Sequence, residues 1–86
     1  MQSFDVRYFA SLREALGTGR ERVSSAAGTV AELRLELAAR GGAYAQALAP
    51  ERRVRAAVNQ DMADADAALA PGQVQEVAFF PPVTGG

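Results

Sequence analysis

The spacing of apolar and polar positions along the 86-residue chain changes several times, and each change marks an element. Residues 3–9, SFDVRYF, alternate: Phe4, Val6 and Tyr8 fall on one face, Asp5, Arg7 and Phe9 on the other. That period of two predicts a strand with one buried face. In SLREALG, Ser11 and Glu14 have capping-box spacing, and Gly17 suits the left-handed residue that ends a short helix. RERVSS, residues 20–25, predicts a second strand on which Val23 is the clear inward position.

The period then changes to that of a helix. In TVAELRLELAARGG, Thr29 and Glu32 have capping-box spacing, and Val30, Leu33 and Leu37 share a face. Glu36 and Arg40 stand four apart, as an intrahelical ion pair would, and Gly41 marks the stop. AYAQALAP adds a turn or two before Pro50. Residues 53–59, RVRAAVN, predict another strand, and Asn59, Gln60 and Asp61 a turn into a weak strand near Met62. The turn signal Pro71-Gly72 leads to the last strand, QEVAFF, with Val77 and Phe79 on one face and Glu76, Ala78 and Phe80 on the other. This order predicts an α+β domain over residues 1–80, a mixed sheet packed on one side by the main helix, with the first and last strands adjacent.

Composition narrows the chemistry. Histidine and cysteine are both absent, so the usual general base, thiolate nucleophile and soft metal ligands are missing. The formal net charge of −1 offers no basic excess for nucleic acid. No apolar run approaches the roughly 20 residues of a membrane helix, and MQSFDVRYF lacks the order of a signal peptide, so a soluble cytoplasmic protein is expected. All nine basic residues are arginine, so no side-chain amine can form a Schiff base or accept an isopeptide bond. Asp61, Asp64 and Asp66 read as a solvated turn and not a metal site, because the glycine and terminal glutamate of a calcium loop are missing. No metal or bound cofactor is expected.

The segment PPVTGG, residues 81–86, follows the last strand directly. Pro81 and Pro82 cannot donate ladder hydrogen bonds, so pairing is expected to stop there. Six extended residues reach up to about 20 Å at roughly 3.3 Å each. Gly85 and Gly86 can pass a channel too narrow for a Cβ, presenting a carboxylate that ATP could activate as an acyl-adenylate. The chain has no phosphate-binding loop for that step, so another protein must perform it. A mobile carboxyl-terminal carrier arm is therefore expected, although plain terminal fraying would leave the same glycines.

EVAFFPPVTGG (76–86), AAVNQ (56–60) and YFASLRE (8–14) resemble the small-subunit family of molybdopterin synthase, in register over essentially the whole chain. The resemblance implies a ubiquitin-like β-grasp fold and a sulfur carrier for molybdenum cofactor biosynthesis, assembled as a heterotetramer. An E1-like enzyme would adenylate Gly86 with ATP, and a sulfur donor protein would convert it to a thiocarboxylate. The synthase large subunit would then use that sulfur to build the molybdopterin dithiolene from cyclic pyranopterin monophosphate, taking in Gly85 and Gly86. By the same resemblance Phe9, Met62, Phe80, Pro81, Pro82, Val83 and Thr84 face partners. The other readings left open are a carrier for thiamine or tRNA thiolation and a protein modifier attached through Gly86. The chain departs from the family in having Gln73, Val74 and Gln75 where an acidic turn is usual.

Overall fold

The computed structural model describes residues 1–73 and 76–82. The elements are β1 (Gln2–Tyr8), α1 (Ala10–Leu16), β2 (Arg20–Ser25), α2 (Val30–Ala38), α3 (Gly42–Ala47), β3 (Arg55–Val58), β4 (Asp61–Ala63) and β5 (Glu76–Phe80). They build one five-stranded sheet in the order β2-β1-β5-β3-β4. β1 and β5 run parallel at its centre, with Val6 abreast of Val77 and Tyr8 of Phe79, and the other pairings are antiparallel. The mixed sheet and the adjacency of first and last strands agree with the sequence pattern.

One face of the sheet and α2 enclose the core. Phe4, Val6, Val77 and Phe79 are fully buried beneath Leu33 and Leu37, and Tyr8 stacks on Phe79 with ring centroids 6.4 Å apart. Alternation explains this directly, because every second residue of β1 points to the helix side. The first turn of α2 is held in three ways. The Thr29 hydroxyl accepts from the Glu32 N–H (3.2 Å). Glu32 accepts from the Gly28 N–H (2.7 Å), one residue earlier than a regular capping box. The Val30 and Ala31 N–H groups donate to the carbonyls of Ala67 and Ala65, so the segment after β4 supplies acceptors that a helix start otherwise lacks.

Three local expectations are corrected. Ser11 and Glu14 form no capping box: the chain reverses earlier, through Ala10 at φ 52°, and the Phe9 carbonyl already accepts from the Leu12 N–H. Ser11 therefore lies inside α1, and Phe9 caps it without a side-chain bond. Glu36 and Arg40 do not pair, because α2 ends at Ala38 and leaves Arg40 beyond the helical spacing. Arg40 turns to Glu21, and Glu36 accepts from the Ser25 hydroxyl. Gly41 does not itself stop α2; at φ 81° it redirects the chain into α3.

Glu21 is the polar hub of the helix-covered side. It accepts from the hydroxyls of Tyr8 and Tyr44 (2.8 Å each) and pairs with Arg40 (2.9 Å), whose guanidinium lies 4.9 Å from the Tyr44 ring centre. Burial pushes the Glu21 carboxyl up, but the bonds from Arg40, Tyr44 and Tyr8 outweigh it and leave the group below its usual range. Burial, and then the bond to Glu21, push the Tyr8 phenol up.

These two shifts act on opposite limbs of the stability profile. A carboxyl group lowered in the folded state contributes stability above its unfolded pKa of about 4.3, and that contribution is lost as pH falls through the folded value. A phenol raised in the folded state contributes fully below about pH 10, and its contribution declines above that. Glu21→Gln is expected to cost about 2 kcal/mol at pH 7 and to flatten the acid limb, as read from urea midpoints between pH 3 and 7. An acid limb unchanged from the parent would show that Glu21 does not carry this linkage.

Candidate functional site

Among the described residues, the face of the sheet away from α2 carries no helix, and it divides into two halves. On the β2 and β1 side the charges satisfy one another, Arg22 excepted. Asp5 pairs with Arg7 (3.2 Å) and Arg20 (3.0 Å), and Glu76 lies 3.4 Å from Arg7. On the β5, β3 and β4 side the face is apolar apart from Arg55. Register places Arg7, Ala78, Ala57 and Met62 in one row across four strands. Ala78 and Ala57 are buried in that row, whereas Met62 is 56% exposed.

The next row toward the end of β5 holds Phe80 opposite Arg55. Phe9 follows Tyr8, which is abreast of Phe79, and its N–H donates to the Phe79 carbonyl (3.1 Å). Phe9 therefore stands beside Phe80, 46% exposed, while Phe80 is half-buried. The two rings make no stacked or edge-on pair. The structure thus brings Phe9, Met62 and Phe80 onto one face, at the end where the chain leaves the sheet.

That exit comes from a central strand. Phe80 ends β5, and Pro81 and Pro82 follow, half-buried and outside the ladder, as proline without an N–H requires. Val83, Thr84, Gly85 and Gly86 lie outside the described residues, as do Val74 and Gln75 of the non-acidic turn. The entry to β5 is fixed by Asn59. Its side chain donates to the Gln73 carbonyl (2.8 Å) and accepts from the Glu76 N–H (3.0 Å). Asn59 and Gln60 both have positive φ, 49° and 73°, which gives the tight β3-β4 turn that aims this side chain.

Sequence reasoning identified the exposed apolar residues but missed Glu21 and Asn59. Glu21 shares the inward parity of Val23, a signal obscured because a carboxylate seldom points inward without partners. Asn59 reads locally as a turn former, and its bonds to the entry of β5 depend on residues 14 and 17 positions away. Among the described residues, no group of three His, Cys, Asp or Glu side chains is placed to hold a metal ion. No described helix is long and apolar enough to cross a membrane. The open face offers apolar area that can bury a partner and orient the segment leaving β5.

The strand order, the parallel central pair and the helix crossing one face define a ubiquitin-like β-grasp domain. Comparison narrows the class further. A profile of the ThiS family matches residues 6–86, and the chain belongs to that family. It is similar to the molybdopterin synthase sulfur carrier subunit of Escherichia coli (strain K12), 44% identical over 81 residues, covering 94% of this chain and 96% of that protein. The protein of the same name from Haemophilus influenzae is 35% identical over 82 residues, covering 95% and 98%. The crystal structure of small archaeal modifier protein 1 from Haloferax volcanii matches with a TM-score of 0.73 and 26% identity, covering 96% of this chain and 100% of that one.

Proposed function

We propose that this chain is the sulfur-carrier subunit of a molybdopterin synthase. The observation that carries the reading is the 44% identity, over nearly the full length of both proteins, to a carrier subunit of that name. The fold adds a physical rationale: an apolar face for a partner, beside a strand that feeds directly into PPVTGG.

In this reading the Gly86 carboxylate attacks the α-phosphate of ATP in an E1-like enzyme, releasing pyrophosphate. Sulfide sulfur from a donor protein then displaces AMP and leaves a thiocarboxylate. Sulfur is the better nucleophile, so the arm delivers a reagent where a carboxylate would be inert. The large subunit accepts that sulfur onto cyclic pyranopterin monophosphate and supplies the acid-base groups, because this chain has neither histidine nor cysteine. Gly85, Val83 and Thr84 occupy the partner's channel, and Phe9, Met62, Phe80, Pro81 and Pro82 form its docking surface.

The test is intact-mass measurement after incubation with the cognate E1-like enzyme, ATP and a sulfur source, with the change localised by fragmentation. Localisation separates sulfur-for-oxygen exchange at Gly86 from oxidation at Met1 or Met62, which gives nearly the same nominal shift. An unmodified terminus with a demonstrably active enzyme would overturn the reading. The docking surface is tested separately. Met62→Glu is expected to weaken binding to the large subunit at least tenfold by calorimetry and to move stability by no more than about 0.5 kcal/mol, since Met62 is 56% exposed.

A second reading, attachment to other proteins through Gly86, is favoured by the similarity to small archaeal modifier protein 1. Covalent conjugates larger than the free chain would support it. Chains of this protein linked through its own side chains are ruled out by the absence of lysine.

A further inference from the structure

The nine arginines divide sharply by what they touch. Arg7 and Arg20 pair with Asp5, and Arg40 pairs with Glu21. Arg34 donates to the carbonyls of Leu48, Ala49 and Arg52, closing the end of α3 and the turn after it. The side chains of Arg13, Arg22, Arg52, Arg53 and Arg55 make no hydrogen bond or ion pair among the described residues. Three of these five fall within residues 52–55, and all three are exposed. The nearest acid in sequence, Glu51, acts on Arg34. A chain of formal net charge −1 thus gathers three arginine side chains without an ion pair at one place.

That place is the exit of β5. Arg55 is the register partner of Phe80. Arg52 and Arg53 line a hollow of about 620 Å³ whose apolar wall includes Leu12, Ala47, Val54 and Pro81. Any protein that takes in the segment beyond Pro82 must bring its own rim within a Debye length, about 10 Å, of these guanidinium groups. A basic rim would be repelled, whereas an acidic one would be drawn in and oriented.

We infer that Arg52, Arg53 and Arg55 form an electrostatic collar that docks an acidic, apolar-edged rim on the synthase large subunit, beside the mouth that receives the tail. The inference rests on the carrier reading and adds to it the charge of the partner surface and a role in association rate. The exposed apolar face supplies area, and the collar sets orientation and speed of encounter.

The experiment is stopped-flow association of the labelled chain with the cognate large subunit at 20 and 300 mM salt. R52E/R53E is expected to slow association at least tenfold at 20 mM and to bring the rate within about twofold of the parent at 300 mM. R52Q/R53Q should fall between the two. R22E, which reverses an equally exposed and unpaired arginine on the far edge strand, should leave the rate within about twofold. Circular dichroism confirms that each variant is folded. A change of less than twofold for R52E/R53E, or an equal loss for R22E, would overturn the collar and leave the carrier reading intact. A folded parent chain that binds the large subunit at neither salt would overturn both.

Discussion

On the carrier reading, removal of Gly86 is expected to abolish the sulfur-dependent gain in mass and to leave the melting midpoint within about 1 °C of the parent. The two halves of this expectation have separate causes. Loss of one residue withdraws the reacting carbon by roughly 3.3 Å, and a misplacement of about 1 Å from a near-attack distance can already cost 10²-fold. The remaining carboxylate on Gly85 is chemically equivalent to the one removed, so the loss would measure reach rather than reactivity. Stability is untouched because every buried side chain among the described residues lies at or before Phe79. Mass spectrometry and a thermal melt on the same preparation check both halves. Retained modification would show that the partner tolerates a shorter arm, and a lower midpoint would show that the glycine takes part in the fold.

Phe79→Ala is expected to have the opposite profile. Phe79 is fully buried in the central strand, stacked on Tyr8 and lined up with Ala56 across the β3-β5 ladder. Truncating a buried phenylalanine costs about 3–5 kcal/mol through lost transfer energy and the cavity left behind. A domain of this size has roughly 5–15 kcal/mol in total, so the midpoint should fall by on the order of 20 °C. Thermal and urea melts would read it. A loss below about 1 kcal/mol would mean that the core collapses around the gap, and that the tight packing of β5 under α2 is not what holds it. Phe79→Leu, which keeps most of the volume, should recover more than half of the loss.

The parts of this fold legible in the sequence are those governed by a single local period. Phe4, Val6 and Tyr8, and then Val30, Leu33 and Leu37, declared a strand and a helix without help from the rest of the chain, and all six are buried. Thr29 announced its cap because the bond spans three residues. The errors came where a long-range partner outbid a local one. Glu36 and Arg40 had the spacing of a pair, but Ser25 and Glu21 on β2 took them. Ser11 had the right neighbour at Glu14, but the β1-β5 ladder runs on to Phe9 and forces the reversal at Ala10. In the candidate site, Phe9, Met62 and Phe80 were legible as exposed apolar residues. Their placement on one face needed the register of four strands. The arginine collar was not legible, because the sequence shows nine arginines without saying which five lack partners.

The position of β5 also bears on what happens when something pulls. The strand that leads to the tail is bonded on both sides, to β1 in parallel and to β3 antiparallel. A partner gripping the segment beyond Phe80 therefore loads both ladders in shear along their length, so that their bonds must yield together. An edge strand gripped at its end could instead be unzipped one bond at a time. The pairing of β5 on both sides thus lets the domain bear tension applied beyond Phe80 without being unzipped from an edge.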